Sequence, residues 1–256
     1  MKPRIKNATL VITLMLVALQ VGVAQDDPPD VPLPGFDSVE EQLEEGMRLF
    51  YEAETMSWRM GIEPDTQGER AFELFRPLAQ AGCAQAQYML TRMMYVTDPP
   101  QSQAWARRAA EQGHAGAQML LATMLELTSL KAEEALMWDR RAAEQGEVNA
   151  MSSVGSNYYT GQAVEIDYVQ AYKWYLLSIP RVPPDESGYT LPAFDRSHIR
   201  DLLSKLESNM TDAEVQRAEK LAQEWEEEHD AIRHFPNDPE PPVRFWYDRI
   251  EGGCDR

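Results

Sequence analysis

The stretch Trp105-Ala-Arg-Arg-Ala-Ala-Glu-Gln-Gly113 recurs, with one change, as Trp138-Asp-Arg-Arg-Ala-Ala-Glu-Gln-Gly146, 33 residues further along the chain. A degenerate copy, Arg-Pro-Leu-Ala-Gln-Ala-Gly, runs from 76 to 82. Repetition at this period is typical of stacked helical hairpins, because one hairpin alone cannot bury its apolar face but a stack of hairpins can. The repeat therefore predicts an all-α solenoid of antiparallel helix pairs, an architecture that forms binding surfaces more often than active sites.

The units align on their central glycines, Gly82, Gly113 and Gly146, which lie 31 and 33 residues apart. Glycine readily adopts the left-handed backbone that ends a first helix before the second begins. Small residues at fixed offsets let paired helices approach closely, and large apolar residues fill the space between hairpins. We therefore expect equivalent side chains to form rows along the solenoid. The recurring positions are Ala71, Ser102 and Ala135; Leu74, Trp105 and Trp138; Ala86, Ala117 and Ala150; and Leu90, Leu121 and Val154.

The third unit carries the fullest form of the repeat. Its second helix reads Asn-Ala-Met-Ser-Ser-Val-Gly-Ser-Asn-Tyr-Tyr over 149–159, and it is followed by Gly161, Val164, Asp167, Ala171 and Trp174. With these residues the chain resembles the Sel-like repeat family, a relative of the tetratricopeptide repeat, over residues 70–179. The resemblance implies a right-handed superhelix and a non-catalytic adaptor function, in which a protein partner binds in the groove of the solenoid.

The first 24 residues have the features of an export signal. Three positive residues precede an apolar run, Ala8–Leu19, and small residues at 22–24 suit a cleavage site. We expect residues 1–24 to be a signal peptide and the chain to be exported, either to the periplasm or to the medium, with no membrane span after cleavage. The alternative is an uncleaved membrane anchor. The positive residues are Lys2, Arg4 and Lys6.

The other segments differ from the repeats in composition. Residues 25–37 are acidic and Pro-rich and predict a linker, and 38–69 predict an N-terminal capping helix. A Pro-rich loop is expected at 180–194, C-terminal capping helices at 195–232, and a Pro-rich and aromatic tail at 233–256. The tail either docks on the last hairpin as a cap or presents a recognition peptide. Capping boxes are expected at Ser38 with Glu41 and at Thr211 with Glu214.

Composition and motifs narrow the classes of function. A formal net charge of −18 argues against nucleic acid as the main partner. The chain contains no Gly-x-Ser-x-Gly, no Gly-rich phosphate loop, no Ser-x-x-Lys and no pair of histidines at metal-binding spacing. We therefore expect no enzyme activity, no cofactor and no metal. Two other functions stay open, a structural accessory of an envelope machine, such as a flagellar motor or secretion system, and a hydrolase with an unrecognised site.

Arginines recur six residues before each repeat glycine, at Arg76, Arg107 and Arg140, and should form a column in stacked hairpins. Arg108 and Arg141 form a neighbouring pair. The favoured interpretation is local neutralisation by glutamates four residues later, at 111 and 144. The functional alternative is that these five arginines line the inner face and bind carboxylates of the partner, because a planar guanidinium suits carboxylates.

The aromatic residues of the repeats have two roles in this interpretation. Tryptophans at one repeat offset, Trp105, Trp138 and Trp174, are expected to pack between helices rather than to stack on a ligand. Tyrosines cluster in the third and fourth units, and they are the aromatic residues most suited to contact a partner in the groove. The tyrosines predicted to contact the partner are Tyr159, Tyr172 and Tyr175.

The chain has two cysteines, Cys83 just after a repeat glycine and Cys254 near the end of the tail. An oxidising compartment would permit a disulfide between them, which would join the tail to the first repeat. Two free or differently paired thiols are the alternative, because the distance between two cysteines does not follow from sequence.

Overall fold

The computed structural model describes residues 32–60, 66–127, 131–179 and 196–229, together with Cys254. Within these ranges the chain forms ten α-helices and no strand. The predicted signal peptide, the loop at 180–194, and most of the linker and the tail lie outside the described residues. The helices are α1 (Val39–Met60), α2 (Thr66–Gln80), α3 (Ala84–Met94), α4 (Pro99–Glu111), α5 (Ala115–Glu126), α6 (Ala132–Glu144), α7 (Val148–Thr160), α8 (Tyr168–Leu177), α9 (Arg196–Glu207) and α10 (Asp212–Glu228).

The helices stack in chain order. Each helix from α1 to α8 packs against the next, and α10 packs against α8. Only three residues separate the two helices of each of the pairs α2–α3, α4–α5 and α6–α7, so the members of a pair must run antiparallel. The predicted all-α repeat solenoid is thereby confirmed. The first repeat helix begins at Thr66, a few residues before the boundary of 70 expected from the sequence.

The three repeat glycines end the first helices in the same way. All have positive φ, 102° at Gly82, 96° at Gly113 and 85° at Gly146. Each glycine N–H donates to the carbonyl three residues back, and the N–H of the following residue donates to the carbonyl five residues back, over 2.9–3.2 Å. This pair of bonds satisfies carbonyls that the helix itself leaves free. The three turns therefore share one backbone geometry, as the register of the repeats predicts.

The rows of equivalent side chains form the core. Eleven of the twelve recurring residues are buried, and Trp105 is half-buried. Trp138 and Trp174 are only 4% and 5% exposed, so the tryptophans pack between helices as expected. The recurring alanines have no exposed surface, and the larger apolar residues of the rows are buried with them in a closely packed core.

Buried glutamines also connect successive repeats. Gln87 on α3 donates to the carbonyl of Ala79 at 3.0 Å and accepts a hydrogen bond from Gln112 at 2.8 Å. Gln118 on α5 repeats the pattern, donating to a carbonyl near the end of α4 and accepting from Gln145 at 2.8 Å. Each buried amide thus links three consecutive helices, and both of its polar atoms are satisfied. The sequence contains this pattern, since Gln87 and Gln118 occupy equivalent positions in successive repeats.

Capping helices close both ends of the repeats. At the C-terminal end Thr211 and Glu214 form the predicted capping box at the start of α10. At the N-terminal end the Glu41 N–H donates to Ser38, but the Glu41 carboxylate accepts from the N–H of Asp37 rather than from that of Ser38. Both arrangements satisfy N–H groups that the first turn of a helix leaves free.

Cys83 and Cys254 form a disulfide in the structure. Cys83 is the N-cap residue of α3, and both cysteines pack in the apolar cluster of α1, α2 and α3. The end of the tail therefore lies at the first repeat, at the opposite end of the helix stack from α10, which leads into the tail.

We expect Gly113→Ala to lower the free energy of unfolding by about 1–2 kcal/mol, because an L side chain is strained in the left-handed region. No atom lies within 4 Å of a Cβ built at Gly113, so the loss would come from the backbone alone. Gly113→Asn is the control and should lose less, since asparagine tolerates this conformation better. Urea denaturation measures both variants, and equal losses would contradict the turn geometry.

We expect Cys254→Ser to lower the free energy of unfolding by roughly 2–5 kcal/mol, because the disulfide restricts the denatured chain. The cysteines are separated by 171 residues, so the closed loop is long. Guanidinium denaturation with and without dithiothreitol measures the effect. Reductant should bring the native protein to the midpoint of the variant and leave the variant unchanged. Thiols that react with Ellman's reagent in the native, unreduced protein would contradict the disulfide.

Candidate functional site

A cavity of about 330 Å³ lies between α6 and the loop that joins α7 to α8. Its floor and walls are largely apolar, with arginines at one end and a glutamate at the other. Met137 is the most exposed of its apolar residues, at 39%. The lining residues are Glu133, Leu136, Met137, Arg140 and Arg141 from α6, and Ala163 and Val164 from the loop.

Three successive turns of α6 form one side of this cavity, and from here on 'the groove' means the cavity and its seven lining residues. Glu133 lies on the first turn, Leu136 and Met137 on the second, and Arg140 and Arg141 on the third. Residues three or four apart share a helix face, so the groove changes from acidic to apolar to basic along α6. This order of charge is read directly from the sequence once the helix is known.

The loop on the other side is held by its own backbone. Gly161 ends α7 with φ of 73°, and a Cβ there would come within 2.8 Å of Ile166. The N–H of Asp167 donates to the carbonyl of Tyr158 at 3.1 Å, and the Asp167 carboxylate caps α8 by accepting from Gln170 at 3.0 Å. These bonds place Ala163 and Val164 opposite α6. The other units lack this longer loop, as their shorter sequences indicate.

Both arginines of the groove are held against aromatic rings. The guanidinium of Arg141 lies 4.7 Å from the centre of the Trp138 ring. Arg140 lies 5.4 Å from the centre of the Tyr158 ring and donates to its hydroxyl at 2.9 Å. Within the described part of the chain, neither arginine forms an ion pair with a carboxylate. A guanidinium stacked in this way still presents N–H donors at its edge.

The expected neutralisation of Arg140 by Glu144 is wrong. Glu144 instead accepts a hydrogen bond from the indole N–H of Trp225 at 2.9 Å, and it lies 3.5 Å from Nε2 of His229. Its carboxylate therefore connects the end of α6 to the capping helix α10. Sequence spacing alone could not show this, because the two residues are 81 positions apart.

The other predicted arginines have different partners. Arg76 pairs with Glu73 at 2.9 Å on its own helix. Arg107 pairs not with Glu111, as expected, but with Glu134 on α6 at 2.7 Å, because stacking brings the acidic first turn of α6 beside it. The hydrogen bond from Arg107 lowers the pKa of Glu134. Arg108 lies 4.7 Å from the centre of the Trp105 ring, as Arg141 does from Trp138.

Two of the three predicted tyrosines are in the core. Tyr172 is 5% exposed and Tyr175 is 2% exposed, so neither is available to a partner, and we do not retain them as contact residues. The hydroxyl of Tyr172 donates to Glu207 at 2.9 Å, and burial followed by this bond raises its pKa. Tyr159 is half-buried, with its ring 6.0 Å from that of Tyr168. Tyr158, which is not among the predicted contact residues, touches Arg140 of the cavity through its ring and its hydroxyl.

Asp139 on α6 is only 1% exposed and does not line the cavity. Its Oδ2 has no hydrogen-bond partner among the described residues. Burial, assisted by the charge of Glu126, raises the pKa of this carboxyl to about 8, so it is protonated at neutral pH. The repeat alignment indicates that Asp139 is buried, because it stands at the position of the buried Ala106 in the preceding unit.

His114 is a second group whose pKa is strongly shifted by burial. It caps α5, with Nδ1 accepting the N–H of Ala117 at 3.2 Å and Nε2 lying 2.8 Å from the side-chain oxygen of Gln85. Burial lowers the pKa of His114 to about 4, so the ring is neutral at pH 7. The described residues contain no cluster of three or more His, Cys, Asp or Glu side chains arranged to hold a metal. In the same ranges, no helix is both long and apolar enough to cross a bilayer.

Four consecutive segments of the chain, 59–83, 84–114, 115–147 and 148–179, match the Sel1 repeat. The first match begins before residue 70, in agreement with the early start of α2. Repeats of this type generally mediate protein–protein interaction. No curated protein matches the sequence.

Two solved structures share the fold. A protective antigen of uropathogenic Escherichia coli strains, which displays an SLR fold, is 23% identical, with a TM-score of 0.55. The match covers 79% of this chain and 45% of the antigen, so the chain spans less than half of that protein's length. A Sel1 repeat protein from Oxalobacter formigenes is 22% identical over 96% of both chains, with a TM-score of 0.50. At these identities the likeness concerns the fold alone.

We expect Asp139→Asn to remove a contribution to stability that falls as pH rises. The folded-state pKa of Asp139 lies above its unfolded value, so its contribution is full below about pH 4 and is lost as pH rises towards 8. The stability of the native protein relative to the variant should therefore fall by a few kcal/mol, in order of magnitude, across this window. His114 contributes an opposite slope to both proteins and cancels in the comparison. Urea midpoints measured across this range test the idea, and parallel profiles would contradict it.

Proposed function

The chain belongs to the Sel1 repeat family, and from that premise we propose that it is a non-catalytic scaffold that binds a protein partner in the bacterial cell envelope. One observation carries the proposal, the preformed groove between α6 and the α7–α8 loop. Contacts within the chain already hold both of its sides, so little conformational freedom is lost when a partner binds.

The groove acts as an anchor point within a larger interface. Stable protein interfaces bury roughly 1,200–2,000 Å² in total, far more than a cavity of this size supplies. A few central contacts commonly provide most of the binding energy, and aromatic and arginine residues are enriched among them. Arg140 and Arg141 are of this type, and Met137 is an exposed apolar residue that lines the same cavity.

The role of a scaffold rather than an enzyme is supported by the positions of the perturbed groups. Asp139 and His114, whose pKa values are strongly shifted by burial, do not line the cavity. A general acid or base must reach its substrate to within hydrogen-bond distance. Glu133 is the titratable carboxyl of the cavity, and it lies at the end opposite the arginines.

Placement in the envelope is supported by two features. Residues 1–24 have the charge order and apolar run of an export signal. Disulfides such as Cys83–Cys254 persist in oxidising compartments and are rare where thiols are kept reduced.

Site-specific photo-crosslinking tests the proposal. A benzophenone amino acid at position 137 lies in the groove, and the same residue at position 96 serves as the control. Val96 is 85% exposed in the turn between α3 and α4, and it does not line the cavity. On irradiation of cells that export the protein, position 137 should give a discrete protein adduct that position 96 does not give. No adduct at 137, or the same adducts from both positions, would count against partner binding in the groove.

A further inference from the structure

The basic end of the groove carries two arginines without acidic partners among the described residues, although the protein as a whole is strongly acidic. The chain has a formal net charge of −18, and cations on the helices commonly pair with nearby acids, as Arg48, Arg76 and Arg107 do. Arg140 and Arg141 are adjacent and form no ion pair among the described residues, although Glu144 lies one turn away on the same helix. Two guanidinium groups that form no ion pair within the described ranges therefore border the cavity.

Both guanidinium groups are already oriented. Stacking on Trp138 and Tyr158 restricts the two long side chains, which reduces the entropy that binding would cost. Each guanidinium has five N–H donors, and the hydroxyl of Tyr158 accepts from one of those on Arg140. The donors that remain suit a carboxylate, which accepts two parallel hydrogen bonds from a planar fork.

Glu133, at the opposite end of the groove from the arginines, determines which end an anionic group of a ligand can occupy. Glu133 lies two turns of α6 before Arg140, a rise of roughly 10 Å at 1.5 Å per residue. An anionic group bound there would be repelled, whereas one bound at the arginines would be attracted. The apolar residues between these ends, Leu136 and Met137 with the loop residues Ala163 and Val164, provide room for an apolar side chain.

We propose that this groove binds an acidic peptide segment of the partner, with a large apolar side chain in the cavity and a neighbouring Asp or Glu carboxylate on Arg140 and Arg141. This inference rests on the proposed function and specifies its ligand. The cavity volume is at the lower end of the range of about 300–1,000 Å³ found for small-ligand pockets, which suits one anchoring side chain. Charge complementarity to the two arginines requires an Asp or Glu in the peptide. Repulsion by Glu133 places this acidic residue on the arginine side of the apolar side chain and not on the other side.

The repeat itself provides a matched control. Arg108 occupies the position of Arg141 in the preceding unit, stacks on its tryptophan at the same distance of 4.7 Å, and does not line the cavity. Arg141→Gln and Arg108→Gln therefore remove the same charge and the same type of aromatic contact. Only the first removes a donor from the groove. Glu133→Gln is an independent variant that leaves both arginines in place.

The experiment is selection of a random-peptide phage library on the exported chain, followed by anisotropy titration of labelled synthetic peptides. Enriched peptides should carry Asp or Glu close to a large apolar residue. Arg141→Gln should weaken their binding roughly tenfold or more, since hydrogen bonds to charged groups are strong. Arg108→Gln should change it less than about twofold, because distant exposed charges are screened. Glu133→Gln should tighten binding, and added salt should weaken it.

Several results would overturn the inference. These are a selection that enriches no peptide, enriched peptides without acidic residues, equal losses in Arg141→Gln and Arg108→Gln, or no gain in Glu133→Gln. Thermal denaturation of the two arginine variants shows whether either has lost its fold. If one has, the affinity of Glu133→Gln for the peptides tests the inference instead. A partner adduct at position 137 that survives in Arg141→Gln would leave the scaffold function intact and reject the acidic ligand. No adduct at 137 would instead reject the scaffold function.

Discussion

The left-handed glycine turn at the end of each first helix is the constraint on which the rest of this structure depends. At Gly82, Gly113 and Gly146 the same two backbone hydrogen bonds end one helix and start the return of the next. Turns of the same type keep the hairpins in register, so small and large apolar residues are buried at recurring positions of a closely packed core. The glutamine bonds between successive units depend on the same register.

Distinct properties arise where a unit departs from the repeat. Ala106 is buried in one unit, and its equivalent in the next is Asp139, which is equally buried and is kept protonated by that burial. The longer α7–α8 loop of the third unit supplies a second wall beside α6, and the cavity forms there. A regular scaffold tolerates such changes because each hairpin contacts mainly its neighbours.

Stacking of the helices replaces ion pairs that would otherwise form within one helix by contacts between helices. Arg107 pairs with α6 rather than with its own helix, and Glu144 pairs with the capping helix α10. As a result Arg140 and Arg141 are left against aromatic rings at the edge of an apolar cavity. The basic end of the groove is thus a consequence of where the acidic residues of neighbouring helices lie.

The sequence by itself determined the helical repeats, their register and the burial of Trp138 and Trp174, because helix periodicity and turn glycines act over a few residues. It did not determine that Tyr172 and Tyr175 are buried, that Cys254 reaches Cys83, or that Glu144 turns to Trp225. Those outcomes depend on residues 81 to 171 positions apart, or on which helix covers a given face. Only the packed stack decides them, because contacts at that separation depend on how whole helices are placed relative to one another.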